Sequence, residues 1–245
     1  MNFLTRSLAA AAVVLATPAM AEKPSTPPTL VKVYDLFLGG IKGGEMAIVT
    51  WISDESYHAE AVMRTAGVVG LVYNASFTAT SEGAITPDGY TTERFKAQSA
   101  MYEKSQYVEM TYDGAAPASV YADPPFVPKP WEIEPTAQSG TIDPITAAIT
   151  ALAPMPVEQL CRRSVEIFDG RKRYAVELGA PEPDQGRIRC PAVYRRIAGF
   201  KPKQMRETPE FPFSVWFEVR DDGLAHVKRA AGDSMFGIAV VLARD

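Results

Sequence analysis

The residues able to do chemistry are few, and their spacing limits what they can do. The chain of 245 residues has two histidines, His58 and His226, and two cysteines, Cys161 and Cys190. Protein zinc sites draw on His, Cys and carboxylates at short, recognisable spacings. Neither an H-E-x-x-H pair nor a Cys/His cluster of that kind occurs, so no metal site and no cofactor is expected. His226 stands in Leu224-Ala225-His226-Val227-Lys228, an alternating run where a hydrogen-bonded or solvent-facing structural histidine is the expectation. The G-x-S-x-G elbow of a serine hydrolase is absent. Gly232-Asp233-Ser234-Met235 has the outline of an esterase Gly-Asp-Ser block, but no histidine follows it, and these residue types make a turn unaided. No phosphate-binding glycine loop follows a strand. The carboxylate pairs Asp54/Glu55 and Asp221/Asp222 sit in turn-like segments. No catalytic residue is assigned, and a protein that is not an enzyme is expected.

The cysteines acquire meaning from the N-terminus. Arg6 precedes an apolar run over 8–16, followed by Ala19-Met20-Ala21. A basic start, a short apolar stretch and small residues at −3 and −1 make a cleavable export signal, cut before Glu22. The run is about half the length needed to cross a bilayer. No Cys stands at the cut, and no later segment is long and apolar enough to span a membrane. The expected mature protein is soluble, without a transmembrane anchor, and periplasmic. In an oxidising compartment Cys161 and Cys190 should form a disulfide.

After a Pro-rich leader over 22–30, residues 31–245 read as one domain. Strand-like runs fall at 31–38, 46–52, 57–64, 68–80 (broken at Gly70), 91–97 and 106–112. Residues 81–89 read as turn material, and 117–135, with six prolines, as a long surface loop. Asp143 is a good N-cap before Pro144, and Ile145, Ile149 and Leu152 give a helical apolar face that ends at Pro154. Hairpins follow around Asp169-Gly170 and Asp221-Asp222-Gly223, with a final strand at 237–243. Ten to thirteen strands and one or two short helices, without βαβ alternation, predict a mainly β fold. It is an antiparallel barrel, a curled sheet or a sandwich.

Charge is unevenly spread. Residues 161–206 carry twelve Lys/Arg against five Asp/Glu, whereas 22–160 are strongly acidic. The basic block is either an anion-binding face or a set of basic strands beside acidic ones. The mature balance near −5 does not suit nucleic acid. Aromatic residues on proposed strands, among them Tyr34, Trp51, Tyr57, Tyr107, Phe213 and Phe217, either line a cavity for an amphiphile or fill a core.

Several landmarks occur in a familiar order: Tyr34-Asp35-Leu36, Gly43-Gly44, Ser81-Glu82-Gly83, Asp143-Pro144-Ile145-Thr146-Ala147, then Cys161 and Phe168-Asp169-Gly170-Arg171-Lys172-Arg173-Tyr174. Cys190 precedes Tyr194 and Arg195, and a last hairpin runs into 237–242. The sequence resembles the bacterial exported family called domain of unknown function 3108 over nearly all of the mature chain. The resemblance implies a β-rich periplasmic protein with an open or spiral barrel, similar to envelope proteins that support envelope integrity. It implies no catalytic residues. Arg171, Lys172, Arg173, Tyr174 and Arg195 are the candidates for an anion or ligand site. The leading expectation is a periplasmic protein that binds a lipid or other envelope amphiphile, or an envelope protein. The alternatives are a hydrolase or transferase acting on cell-wall or lipid material, and a scaffold that docks proteins along a sheet edge.

Overall fold

The structure is a computed structural model that describes residues 26–162 and 164–244. The expected export signal and residues 22–25 of the leader lie outside the described residues. Seven strands follow one another as antiparallel neighbours: β1 (Leu30–Leu38), β2 (Ile41–Ile52), β3 (Ser56–Thr65), β4 (Ala75–Thr86), β5 (Gly89–Met101), β6 (Lys104–Asp113) and β7 (Ala116–Asp123). A second series comprises β8 (Ser164–Phe168), β9 (Arg173–Leu178), β10 (Glu182–Asp184), β11 (Arg187–Ala198), β12 (Glu210–Val219), β13 (Ala225–Ser234) and β14 (Gly237–Ala243). β14 lies antiparallel to β1, Tyr34 opposite Ala243 and Leu36 opposite Val241. All fourteen strands therefore belong to one sheet, ordered β7-β6-β5-β4-β3-β2-β1-β14-β13-β12-β11-β9-β8, with β10 alongside β11.

The sheet curls but does not close, because β7 and β8 stand at opposite ends of that order. Segment 135–143 occupies the seam. The N–H of Ile142 donates to the Glu166 carbonyl at 3.0 Å, and the N–H of Phe168 to the Ile142 carbonyl at 3.0 Å, on the free edge of β8. The N–H of Gly140 donates to the Ala115 carbonyl at 2.8 Å beside β7. Covering an edge this way removes a template for pairing with other chains. The turn between β8 and β9 brings the far end round: Gly170, at φ +95°, lies so close that a Cβ would come to 3.1 Å from Val108 of β6. The pattern left a barrel, a curled sheet or a sandwich open; the structure is a curled antiparallel sheet that does not close, the open barrel that the family resemblance implies.

Inside the curl lies one helix, α2 (Pro144–Leu152), after the short α1 (Gly67–Val72). The Asp143 carboxylate accepts the N–H groups of Ile145 and Thr146, as an N-cap should, and Pro144 opens the first turn. Ile145 and Ile149 pack against Ile48, Phe95, Met110 and Phe168 in one buried cluster. A second cluster, around Tyr34, Met155, Leu160, Phe217 and Val227, lies on the side formed by the C-terminal strands.

Three sequence expectations need correction. Segment 68–80 is not a broken strand: 67–72 is α1, and β4 begins at Ala75 and runs through the supposed turn to Thr86. The loop expected over 117–135 begins as an edge strand, β7, where prolines are tolerated because one side needs no ladder partner. One or two short helices were expected, and a third, α3 (Pro202–Glu207), is present, opened by its own proline.

The outer face carries a charge cluster across β14, β1, β2 and β3. Arg244 donates to Asp35 and Glu45, Lys42 lies 2.8 Å from each, and Arg64 is 3.1 Å from Glu45. These donors draw the Asp35 and Glu45 carboxyls down to about 2. Unfolded carboxyls titrate near 4. A depressed folded value gives stability that is fully present above about pH 5 and is lost as pH falls toward 2. Denaturant midpoints measured from pH 6 to pH 2 should fall across that window, and Arg244→Gln should flatten the fall.

Candidate functional site

The barrel interior is divided by α2. On the side of β3, β4 and β5 it is filled. The Asp143 carboxylate is fully buried and collects five donors. Oδ1 accepts the N–H of Ile145 at 2.7 Å and of Thr146 at 3.1 Å. Oδ2 accepts the hydroxyls of Ser81 on β4 and Thr92 on β5, each at 2.7 Å, and that of Thr146. The Tyr57 hydroxyl on β3 is 2.5 Å from Thr146 Oγ1. Burial pushes the Asp143 carboxyl up, against the lowering effect of these hydrogen bonds. The network pins the first turn of α2 to three strands.

On the other side the last turn of α2 stands away from the wall. Between it and the C-terminal strands is an apolar cavity of about 200 Å³. Its lining includes Ala151, Leu152 and Met155 on one side and Val176, Leu178, Phe213, Val215, Phe217 and Val241 on the other. Strand alternation delivers the wall: Phe213, Val215 and Phe217 are successive inward positions of β12. Cys161 also lines the cavity and is bonded to Cys190 of β11, with Cα atoms 5.4 Å apart. That disulfide, expected from the sequence, ties the segment after α2 to the cavity wall.

One lining residue is polar in the wrong place for a filled core. Tyr34 is fully buried, and its hydroxyl has no hydrogen-bond partner among the described residues. Burial pushes its phenol up, against the opposing charge of Arg220. A buried hydroxyl left unpaired costs about 1–3 kcal/mol. The same end of β1 carries Lys32, whose Nζ lies 3.1 Å from His226 Nδ1, while His226 Nε2 lies 2.8 Å from Asp222. Burial, then Arg220, lowers the Lys32 ammonium, partly opposed by Asp222. His58 lies 3.7 Å from Glu60 and 3.9 Å from Glu82, and its ring is 5.6 Å from that of Trp51.

The five residues suggested by the sequence do not converge on this cavity. Asp169 accepts the backbone N–H groups of Arg171 and Lys172, shaping the turn. Arg171 lies over Phe126 at 4.5 Å and Lys172 over Phe200 at 5.5 Å. Arg173 pairs with Glu166, and Arg195 with Glu177 and Glu210. Tyr174 stacks on Tyr194 at 5.0 Å. The aromatic residues divide between both roles considered: Tyr57, Phe95 and Phe168 fill the core, and Tyr34, Phe213 and Phe217 line the cavity. The unpaired Tyr34 hydroxyl was not legible, because a tyrosine's partners are set by tertiary contacts. Among the described residues no group of His, Cys, Asp and Glu could hold a metal ion, and no helix is long and apolar enough to cross a membrane.

A family model described as a protein of unknown function (DUF3108) matches residues 33–192. No curated protein matches the sequence. Among solved structures the chain is similar to the crystal structure of a beta-barrel-like protein of domain of unknown function DUF1849 from Brucella abortus. The identity is 13% and the TM-score 0.46, over 88% of this chain and 95% of that one.

Proposed function

The chain belongs to the DUF3108 family, and from the interior of its barrel we propose that it is a non-enzymatic periplasmic protein that binds an amphiphile in support of the cell envelope. The carrying observation is the apolar cavity of about 200 Å³ lined in part by Tyr34, whose buried hydroxyl is unpaired. Ligand sites are typically apolar with a few polar groups that fix orientation. At about 30 Å³ per water-sized group, the space takes about seven such groups, a short alkyl chain or a small aromatic body. The Tyr34 hydroxyl then pairs with the ligand's one polar atom. Support for export comes from the signal-like sequence over 1–21 and from the disulfide Cys161–Cys190, which suits an oxidising compartment.

The test is native mass spectrometry of protein purified from periplasm without detergent, with organic extraction of what it holds. The expected result is a bound molecule with an alkyl or aromatic body. Tyr34→Phe should leave stability unchanged or raise it, since an unpaired buried hydroxyl is removed, and should weaken ligand binding by about tenfold. A bare mass, with no affinity for any alkyl carboxylate or alcohol offered, overturns the reading. The hydrolase alternative has one observation in its favour, the hydrogen-bonded Lys32–His226–Asp222 series. Recovery of a cleaved rather than intact ligand would shift the assignment to it.

A further inference from the structure

We propose that one end of the barrel docks on a lipid surface bearing anionic headgroups, through a rim of exposed apolar side chains flanked by a basic arc. This inference stands whether or not the cavity holds a ligand.

Because neighbouring strands are antiparallel, the β1–β2, β5–β6 and β13–β14 turns and the β3–β4 link containing α1 all fall at the same end. Their tips are apolar. Leu71 is 86% exposed, Met235 88% and Phe236 69%, and Ile41, Val68 and Tyr102 are also exposed. The tips touch one another in sequence. The N–H of Gly39 donates to the Ile238 carbonyl at 3.0 Å, joining the β1–β2 and β13–β14 turns. The N–H of Ala66 donates to the Gly43 carbonyl at 3.1 Å, joining the α1 link to β2. The Tyr73 and Tyr102 rings meet edge-on at 5.0 Å, joining that link to the β5–β6 turn. The result is a continuous rim, and contiguous exposed apolar surface marks an interaction site.

The shape and the charge select the occupant. The side chains project from separate turns, so the rim is a row of convex points. A fluid lipid interface admits such points individually, whereas a protein partner would need a matching row of pockets. Tyrosines at the level of the rim are the residue type enriched at membrane–water boundaries. A basic arc lies at the same end, while exposed Glu103 and Asp233 stand among the apolar tips. The β8–β9 turn carries exposed Lys172, and α3 carries Lys203 and Arg206 after Lys201, with Glu207 offsetting Lys203 at 3.8 Å. The Lys172 ammonium, 5.5 Å from the Phe200 ring, holds that turn beside the start of α3. Part of the basic block seen in the sequence thus lies next to the apolar rim, as anionic headgroups around inserted side chains require.

The experiment is flotation of the purified exported protein with vesicles of phosphatidylethanolamine and phosphatidylglycerol, and with phosphatidylcholine vesicles. Binding is expected to the anionic vesicles, weakening with salt. The double variant Leu71→Asp/Phe236→Asp should lose at least about tenfold in partitioning. Lys201→Gln and Arg206→Gln should each lose about fivefold, on anionic vesicles alone. These side chains are exposed, so an unchanged thermal midpoint is expected and checks that each variant is folded. Absence of wild-type binding at low salt overturns the proposal, as does binding undiminished in Leu71→Asp/Phe236→Asp. Sedimentation of the wild type as a dimer and of that variant as a monomer also overturns it, making the rim a contact between two copies.

Discussion

Asp143→Ala should lower stability by about 4 kcal/mol. An N-cap carboxylate contributes about 1 kcal/mol, and each buried donor left unpaired adds about 1–3 kcal/mol before relaxation. The hydroxyl protons leave little room for repair. Thr92 Oγ1 accepts the N–H of Asp143 itself at 3.0 Å, so its proton serves the carboxylate. Thr146 Oγ1, 2.5 Å from the Tyr57 hydroxyl, can accept that proton while giving its own to Asp143. Ser81 donates to the same oxygen. Without the carboxylate, three hydroxyls and two backbone N–H groups lose their acceptor at once. Asp143→Asn keeps the cap oxygen but places an amide N–H among donors, and about 2 kcal/mol is expected. Tyr57→Phe, removing only the outermost donor, should cost about 1 kcal/mol. Urea unfolding of the three variants measures the order Ala, Asn, Phe. A loss below about 1 kcal/mol for Asp143→Ala would mean that apolar contacts alone hold α2 in the barrel.

This network marks where sequence reasoning stops. Asp143 was legible as a cap because capping is local: the residue, the proline after it and the apolar spacing lie within ten positions. Its partners were not. Ser81 and Thr92 are 62 and 51 positions away, and 81–89 reads as a turn because Ser-Glu-Gly is turn-like in composition. The structure gives that composition another cause. A Cβ at Gly83 would collide with the Thr91 carbonyl where the β4–β5 register shifts, so glycine is required inside the strand. The Asp169-Gly170 hairpin of β8 and β9 was legible to the residue, and the Asp222-Gly223 hairpin at its turn, since turn chemistry and strand alternation are both short-range. The basic block was legible as charge but not as geometry. Arg173 and Arg195 are engaged with Glu166, Glu177 and Glu210, as cross-strand pairing allows, while Lys201 caps and Arg206 sits on a short helix that the Pro-rich context hid. The cavity was open in principle, because inward aromatic and aliphatic positions follow from alternation. What no alternation gives is the gap between α2 and β12, which depends on where Asp143 holds the helix.

Replacing both cysteines, Cys161→Ser/Cys190→Ser, should cost about 3.5 kcal/mol, the loop-closure entropy of a chain segment with 29 residues of separation. In urea this corresponds to a midpoint lower by about 1–2 M, and on heating to a midpoint lower by roughly 10 °C. The bond also acts in the folded state. Cys161 has φ +60°, the left-handed region that residues other than glycine rarely adopt, and is almost wholly buried at the cavity. Just upstream, the N–H of Met155 donates to the Ala225 carbonyl at 3.2 Å, and the N–H of Ala225 to the Met155 carbonyl at 2.9 Å. Those two hydrogen bonds and the disulfide are the two ends of a strap over the cavity. With the disulfide gone, the backbone at Cys161 can leave its strained conformation and the strap is held at one end. Ligand affinity of the folded double variant should therefore fall along with its stability. If stability falls as expected but ligand affinity in the folded variant is unchanged, the bond acts on the unfolded chain alone, and the strap closes the cavity through Met155 and Leu160.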